Sequence, residues 1–260
     1  MKTPAIIAAD VGNSRLKLLA GSVARAAEYS SVSGEIRGAI EDALRGIYPE
    51  NSGNSAPVAA FSSVNPPVFE VFSAAADSFG FVLFDAAEAA RESTLLSFTG
   101  ISGMGDDRML GLFGARAVAS PPFITVDCGT AVTVNAVDNH GVCIGGVIFP
   151  GLRAQLTALT EKTANLRSVP LFWEEFSAGT TTEQAIRRGI IHGVAGGILH
   201  CVGEISAQLG GDNIPVFLTG GGAELLRIAL SRCFTVEWRP NLVCEGALSV
   251  AEHHCKSHNN

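Results

Sequence analysis

The chain has 260 residues, of which 47% are hydrophobic and 17% are charged, so it has the apolar content of a folded core and not the composition of a disordered protein. Its formal charge of −7 argues against a face that binds nucleic acid duplexes, because phosphate neutralisation requires clustered cations. The sequence also excludes a Walker A P-loop, since no lysine follows a glycine and precedes Ser or Thr.

Apolar runs and turn residues predict the elements of the first part of the chain. A buried strand over residues 5–9 ends at Asp10, a tight turn follows at Gly12-Asn13, and a second strand covers 16–20. Further strands are predicted over 58–61 and 81–84, with helices over 34–48, 67–79 and 109–118. The sequence Ser-Pro-Pro at 120–122 then stops the last helix, so we predict a domain boundary there, with domains 1–119 and 120–260.

The second part of the chain repeats the opening pattern. An apolar strand over 123–126 ends at Asp127, a turn follows at Gly129-Thr130, and strands are predicted over 132–137, 142–149 and 216–218. Helices are predicted over 152–159, 182–209 and 223–230. A strand, an aspartate and a glycine turn thus begin each half, which indicates a duplicated α/β unit with a cleft between the halves.

The cellular setting follows from the cysteines and from the apolar stretches. The six cysteines include no CxxC pair, which is typical of reduced thiols and places the protein in the cytoplasm. The amino-terminal apolar run is too short for a signal peptide, and the stretch 189–203 falls short of the roughly 20 residues of a membrane helix. The tail around His253, His254 and His258 is expected to be a disordered polar terminus and not a metal site.

Three glycine-containing turns have the residues of a nucleotide site. In the first turn, backbone N–H groups near Gly12 can converge on an anion, Asp10 can hold hydrated Mg²⁺, and Lys17 can reach a phosphate. A hairpin with a surface lysine is the alternative for this turn taken alone. The turn after Asp127 has the same features, a carboxylate at the end of a strand, a glycine turn and hydroxyl groups. The glycines at 220–222 precede a helix whose amino terminus attracts negative charge. Together the three predict a nucleotide cleft.

Two further motifs have both a chemical and a structural interpretation. In Gly105-Asp106-Asp107-Arg108, one carboxylate could accept a proton from a hydroxyl group and the arginine could grip a carboxylate. The same motif could instead be a helix amino terminus whose acidic residues complement the dipole. The threonines at 180–182 precede a long helix, and capping of that helix is the expected role for at least one of them.

The complete set of motifs resembles type III pantothenate kinase. The resemblance runs from residue 6 to about residue 250 and rests on five segments in the order of the family: 10–17, 105–108, 127–131, the glycines and proline of 145–151, and 180–189. It implies an α/β fold of two ribonuclease-H-like domains, like those of acetate kinase, Hsp70 and actin. It also implies transfer of the ATP γ-phosphoryl group to pantothenate, with Mg²⁺ and a monovalent cation, K⁺ or NH₄⁺, in a homodimer whose pantothenate site lies at the subunit interface.

The resemblance also implies roles for individual residues. Asp107 would be the general base, and Asp10 and Asp127 would hold metal ions, Asp127 the monovalent one. The residues that would bind ATP are Asp10, Val11, Gly12, Asn13, Ser14, Arg15, Leu16, Lys17 and Thr130. The residues that would bind pantothenate are Gly105, Asp106, Asp107, Arg108 and Thr182.

The sequence departs from the family pattern at several positions, and two of them precede the Gly105 motif. Phe98 and Ile101 stand where the family usually has Tyr and Pro, and Phe98 cannot donate a phenolic hydrogen bond. Other expectations for this fold are a sugar or acetate kinase, a chaperone-like ATPase, and a non-catalytic transcriptional accessory protein. The presence of Asp107 argues against the last of these.

Overall fold

The computed structural model describes residues 5–12, 15–29, 35–48, 56–211 and 213–257. The strands are β1 Ile6–Val11, β2 Arg15–Ala20, β3 Val23–Glu28, β4 Val58–Ser63, β5 Val82–Asp85, β6 Phe123–Cys128, β7 Ala131–Val137, β8 Cys143–Pro150, β9 Val216–Thr219 and β10 Val236–Trp238. The helices are α1 Glu35–Ile47, α2 Pro66–Ser78, α3 Ala86–Glu92, α4 Asp106–Val118, α5 Leu152–Lys162, α6 Thr182–Gln208, α7 Ala223–Leu230 and α8 Leu242–Ser257.

The chain forms two compact units, Met1–Ala119 with Asn241–Asn260, and Ser120–Pro240. The predicted boundary at residue 120 therefore agrees with the structure. The assignment of residues 241–260 to the second domain was wrong, because α8 packs within the first unit. The tail around His253 and His254 was also expected to be disordered, yet α8 continues to Ser257, and the ring of His254 lies 5.2 Å from that of Phe84. His258 lies outside the described residues.

The two units have the same sheet topology. The first sheet has the order β3-β2-β1-β4-β5 and the second has the order β10-β9-β6-β7-β8. In each sheet the first three strands of the unit pair in antiparallel fashion, and the last two add in parallel beside the first strand. The repeat predicted from the two aspartate turns thus extends over all five strands of each unit.

The central strands are almost continuously buried because helices cover them. Ile7, Ala9 and Val11 of β1 belong to the core of the first unit, and the predicted apolar stripe of α1 belongs to the same core cluster. In the second unit β6, β7 and β9 are buried against α5, α6 and α7. The sequence patterns did not predict β3, α3, β10 or α8.

Helix α6 is the one described helix that is long and apolar enough to cross a membrane by length and composition. Within the second unit 44% of its qualifying 18-residue stretch is buried. Ile190, Val194 and Ile198 lie on that buried side and belong to the core cluster of the unit. Its apolar character is therefore accounted for by core packing in this unit.

Helices α4 and α8 cross at two glycines. A methyl group at Gly114 would overlap the backbone carbonyl of Leu242, and one at Gly246 would overlap the carbonyl of Leu110. The absence of a side chain at both positions lets the two backbones approach closely. This contact attaches the carboxyl-terminal helix to the helix that begins with the Gly105 motif.

We predict that Gly246→Ala lowers the free energy of unfolding by about 1–3 kcal/mol, because overpacking forces backbone shifts. Gly111→Ala in α4 is the matched control: an added methyl group there meets nothing within 4 Å. The control should be neutral or stabilising by up to about 1 kcal/mol through helix propensity. Chemical denaturation of both variants measures the difference, and equal stabilities would contradict the close crossing.

Candidate active site

Asp10 lies at the end of β1 between two polar neighbours on adjacent strands. It is paired with Lys17 of the antiparallel strand β2 and with Ser62 of the parallel strand β4. Residues opposite each other on neighbouring strands place their side chains on the same face of the sheet. The register of the sheet therefore brings a carboxylate, an ammonium group and a hydroxyl group to one face.

The turn after Asp10 is held from two sides. The amide of Gly12 donates a 3.0 Å hydrogen bond to the carbonyl of Arg15, and the Tyr29 hydroxyl donates one of 2.5 Å to the carbonyl of Gly12. Burial and the negative charge of Asp10 raise the pKa of Tyr29 to about 12, so this hydroxyl keeps its proton at neutral pH. Two predicted ATP-binding residues, Asn13 and Ser14, lie outside the described residues.

The remaining predicted ATP-binding residues of this hairpin differ in accessibility. Val11 and Leu16 are fully buried, so only their backbone could face a ligand. Arg15 forms an ion pair with Glu28 on β3. Under the hairpin, the thiol of Cys244 in α8 donates a 3.7 Å hydrogen bond to the carbonyl of Lys17.

The thiol of Cys244 is a packing group. Burial, followed by the charge of Asp10, raises the pKa of Cys244 well above its usual range. A thiol that keeps its proton is a poor nucleophile. The cysteine thus helps α8 to support β2, and it is not a reactive centre.

The second unit repeats the arrangement around Asp127. Asp127 is paired with Thr133 of the antiparallel strand β7 and with Thr219 of the parallel strand β9. Gly220 follows with a φ of 91°, and a methyl group there would overlap the Asp127 carboxylate. The glycine thus gives the carboxylate the space to lie against the backbone of the β9–α7 loop.

The two units share an unusual polar feature beside these aspartates. Among the described residues, the buried side-chain polar atoms without a hydrogen-bond partner are Ser62 Oγ and Thr219 Oγ1. Each belongs to the residue paired in parallel register with the strand-end aspartate of its unit. An unsatisfied buried hydroxyl costs about 1–3 kcal/mol, so both positions suit a bound water molecule or cation.

The turn at Thr130 is fixed through its backbone. The amide of Gly151 donates a 2.9 Å hydrogen bond to the carbonyl of Thr130, and a methyl group at Gly151 would overlap the carbonyl of Gly129. The sequence Pro150-Gly151 therefore marks the point where the backbone at Gly151 comes close to the backbone of Gly129 and Thr130. Thr130 itself is exposed, so its hydroxyl is accessible to a ligand.

The glycine-rich loop after β9 lies beside this turn. The amide of Gly222 donates a 2.8 Å hydrogen bond to the carbonyl of Cys128, and Gly222 is the N-cap of α7. The structure thus brings together, within the second unit, two of the three turns that the sequence indicated.

The Gly105 motif forms the amino terminus of α4, as its structural interpretation predicted. Gly105 is the N-cap and provides no side-chain hydrogen bond. The Asp107 carboxylate accepts a 2.8 Å hydrogen bond from the amide of Arg108, and Asp106 forms an ion pair with Arg91 of α3. The negative charge of Asp107 lies at the positive end of the helix dipole.

A cavity of about 570 Å³ lies beside this helix terminus in the first unit. The segment between α3 and α4 forms much of its wall, and the residues that line it include Arg91, Ser93, Phe98, Ile101 and Met104. Phe98 and Ile101, the two departures from the family pattern that precede the Gly105 motif, therefore lie in this wall. A volume of this size is typical of small-molecule sites.

Thr182 is the first residue of α6. The cap is Thr181, whose hydroxyl accepts a 3.2 Å hydrogen bond from the amide of Gln184. Capping is therefore the role of Thr181, and the exposed Thr182 remains accessible.

No group of three or more His, Cys, Asp or Glu residues with metal-binding geometry occurs in the part of the chain that the structure describes. Asp10 and Asp127 are thus not members of such a cluster. A cation at either position would need further oxygen ligands, which a hydroxyl group, water and phosphate oxygens can supply.

The structural neighbours define the fold as that of the actin and Hsp70 group. A Baf family transcriptional activator from Campylobacter jejuni superimposes with a TM-score of 0.63 at 17% identity, covering 96% of this chain and 99% of that one. An archaeal actin homologue superimposes with a TM-score of 0.51 at 12% identity, covering 96% and 99%. The predicted fold of two ribonuclease-H-like domains is confirmed.

Sequence comparison then gives the family. The profile of type III pantothenate kinases matches residues 6–204. The type III pantothenate kinase of Dehalococcoides mccartyi is 31% identical over 93% of this chain and 95% of its own length. That of Synechococcus elongatus is 35% identical over 149 residues, which span 57% of this chain and 60% of the relative. The chain belongs to the type III pantothenate kinase family.

Proposed function

We propose that the protein transfers the γ-phosphoryl group of ATP to pantothenate and so forms 4′-phosphopantothenate, the entry step to coenzyme A. The observation that carries this proposal is family membership along nearly the whole chain. A cavity of about 570 Å³, lined by residues such as Met104 and Met109 that flank the Gly105 motif, supports it, because an alcohol acceptor needs a pocket close to a proton acceptor.

The ATP phosphates and Mg²⁺ are assigned to residues 10–17. Backbone amides of the hairpin and the ammonium group of Lys17 would contact phosphate oxygens, and Asp10 would hold hydrated Mg²⁺. The buried hydroxyl of Ser62, which lacks a partner, fits a water molecule of that hydration shell. When bound, the metal neutralises charge on the β- and γ-phosphates. Thr130 in the second unit would contact the nucleotide.

The monovalent cation, K⁺ or NH₄⁺, is assigned to Asp127. The carboxylate and the partnerless hydroxyl of Thr219 supply two oxygen donors of the kind that K⁺ accepts. A second cation beside ATP would offset negative charge in a protein of net charge −7 that has few lysines.

In the proposed reaction, the pantothenate hydroxyl oxygen attacks the γ-phosphorus and the bond from that phosphorus to the β–γ bridging oxygen breaks, so ADP leaves. The proton of the hydroxyl passes to the Asp107 carboxylate. A carboxylate suffices as the proton acceptor, because the alcohol loses its proton late in a loose transition state.

Pantothenate itself is assigned to residues 105–108 and Thr182. Arg108 would pair with the carboxylate of the substrate, and the cavity lined by Phe98 would take up its apolar part. We further propose a homodimer in the cytoplasm, in which the subunit interface completes the pantothenate site. The alternative, a non-catalytic transcriptional accessory protein, would bind nucleotide without turnover.

We predict that the protein consumes ATP only when pantothenate is present, in Mg²⁺ and K⁺. Asp107→Asn should lower kcat by about 10²–10⁴-fold, because the amide cannot accept the proton. A coupled assay for ADP measures both, with mass spectrometry of the phosphorylated product.

The control is Asp42→Asn, which removes an exposed carboxylate of α1 that pairs with Arg45. It should retain full activity. Equal turnover of Asp107→Asn and the wild type would remove Asp107 from its role, and turnover of a sugar or acetate in place of pantothenate would contradict the proposed substrate.

We also predict that Thr219→Val weakens monovalent cation binding by about fivefold, the equivalent of one lost oxygen contact of about 1 kcal/mol. Thr133→Val is the control: Thr133 also pairs with Asp127, but its hydroxyl accepts a 3.4 Å hydrogen bond from Asn135. Calorimetric titration with Tl⁺, a substitute for K⁺, measures the affinity without turnover. Identical affinities in the two variants would remove Thr219 from the cation site.

A further inference from the structure

An ion-paired cluster in the second unit attaches the segment 163–181 to α6. The segment joins α5 to α6, and the structure describes all of it without helix or strand. It needs other contacts to fix its path, because it has no regular backbone hydrogen bonding of its own.

Glu174 is the centre of this cluster. Its Oε1 accepts a 2.9 Å hydrogen bond from Nε of Arg187, and its Oε2 accepts one of 2.8 Å from Nε of Arg188. Hydrogen bonding by Arg188 and then by Arg187 lowers the pKa of Glu174, so the carboxylate is ionised at neutral pH. Each carboxylate oxygen is thus bound by a different arginine of α6.

Arg187 is buried to an extent that is rare for an arginine. Only 5% of its surface is exposed, and its guanidinium group lies 4.0 Å from the ring centroid of Phe172. Its Nη2 lies 2.6 Å from Oε1 of Glu174, and its Nη1 donates a 2.9 Å hydrogen bond to Glu183. A buried guanidinium group needs such partners, since a buried charge without them is costly.

Arg188 and His192 extend these contacts along the segment. Arg188 also donates to the backbone carbonyls of Ser177 at 3.2 Å and Ala178 at 3.0 Å. The ring of His192 contacts that of Trp173, and its Nε2 lies 3.0 Å from the carbonyl oxygen of Glu174. The backbone from 173 to 178 is therefore held against one side of α6.

Residues 179–181, which lead to Thr182, are also held against the start of α6. Gly179 lies so close to α6 that an added methyl group would be 2.5 Å from the amide nitrogen of Ala185. The amide and the hydroxyl of Thr180 each donate a 3.0 Å hydrogen bond to Oε1 of Gln184. Thr181 caps the helix, so the path from Glu174 to Thr182 has a contact at almost every residue.

We propose that Glu174, through Arg187 and Arg188, is a positioning residue for Thr182 in pantothenate binding. This inference rests on the proposed function, in which Thr182 contacts the substrate. Loss of the Glu174 charge would loosen the contacts of residues 174–181 with α6. Thr182 would then be held less firmly in its binding position, while the residues assigned to ATP would stay in place. The cost therefore falls on the affinity for pantothenate and not on the affinity for ATP.

The neighbouring residue Glu175 is a matched control. It forms an ion pair with Arg232, and both side chains are largely exposed, at 70% and 56%. Arg232 lies just after α7, so this pair does not connect the segment to α6. Exposed pairs of this kind contribute little to stability.

The experiment compares Glu174→Gln and Glu175→Gln in the full-length protein. Glu174→Gln should raise the KM for pantothenate by about fivefold or more, with kcat and the KM for ATP within about twofold of the wild type. Hydrogen exchange of the amides 178–182 should accelerate in Glu174→Gln alone. Arg188→Gln, which removes the contacts to Ser177 and Ala178 but keeps the Arg187–Glu174 pair, should show the same pattern if Glu174→Gln fails to fold.

The outcomes separate this inference from the proposed function. If the wild type does not phosphorylate pantothenate, the proposed function fails, and the inference about pantothenate binding fails with it, whatever the exchange data show. If the wild type is active but Glu174→Gln and Glu175→Gln have the same KM for pantothenate, the inference is overturned and the proposed function stands. A lower melting temperature without a change in KM or exchange would make the cluster merely structural and would also overturn the inference.

Discussion

The register of two parallel strand pairs is the constraint on which the site depends. In each unit the first strand ends at an aspartate, and the neighbouring parallel strand places a buried hydroxyl on the same face, Ser62 beside Asp10 and Thr219 beside Asp127. A slip of one residue would send either hydroxyl to the opposite face. Two buried hydroxyls without partners are unfavourable in the protein alone, and this is the reason for our proposal that a cation or its bound water lies beside each of them.

Phosphoryl transfer requires little covalent chemistry from a protein and much positioning of charge. For the proposed reaction, an acidic chain with few lysines must obtain a positive field around ATP from cations, from backbone amides and from helix amino termini. The described parts that correspond to that need are a glycine loop at the start of α7 and two carboxylates next to hydroxyl groups. Asp107, in the first turn of α4, is the group that we propose as the proton acceptor for the alcohol.

The sequence predicted the features that depend on near neighbours in the chain. Strand, aspartate and glycine turn are adjacent in sequence, so both hairpins and the Gly105 motif were recognisable, as was the boundary at residue 120. The pairing of Asp127 with Thr219 joins residues far apart in the chain, and no local pattern indicates it. Tyr29 was missed because β3, which precedes it, is largely exposed and so lacks the apolar pattern of a buried strand.

The error about the tail has a similar cause. Helix α8 has a buried face of small residues such as Ala247 and Ala251, and its polar end resembles a disordered terminus. Its return to the first unit depends on the glycine crossing with α4, which only the tertiary structure shows. The cluster around Glu174 is also invisible in the sequence, since ion pairs over 13 and 14 residues follow no helical or strand period.

The most direct test is the anomalous scattering of crystals grown with a non-hydrolysable ATP analogue, Mn²⁺ and Tl⁺. The account predicts Mn²⁺ near the carboxylate of Asp10, within reach of Ser62 through a water molecule. It predicts Tl⁺ in contact with Asp127 and Thr219. Cations bound elsewhere on the nucleotide, with both hydroxyls still lacking a partner, would contradict the claim that these strand ends are built for them.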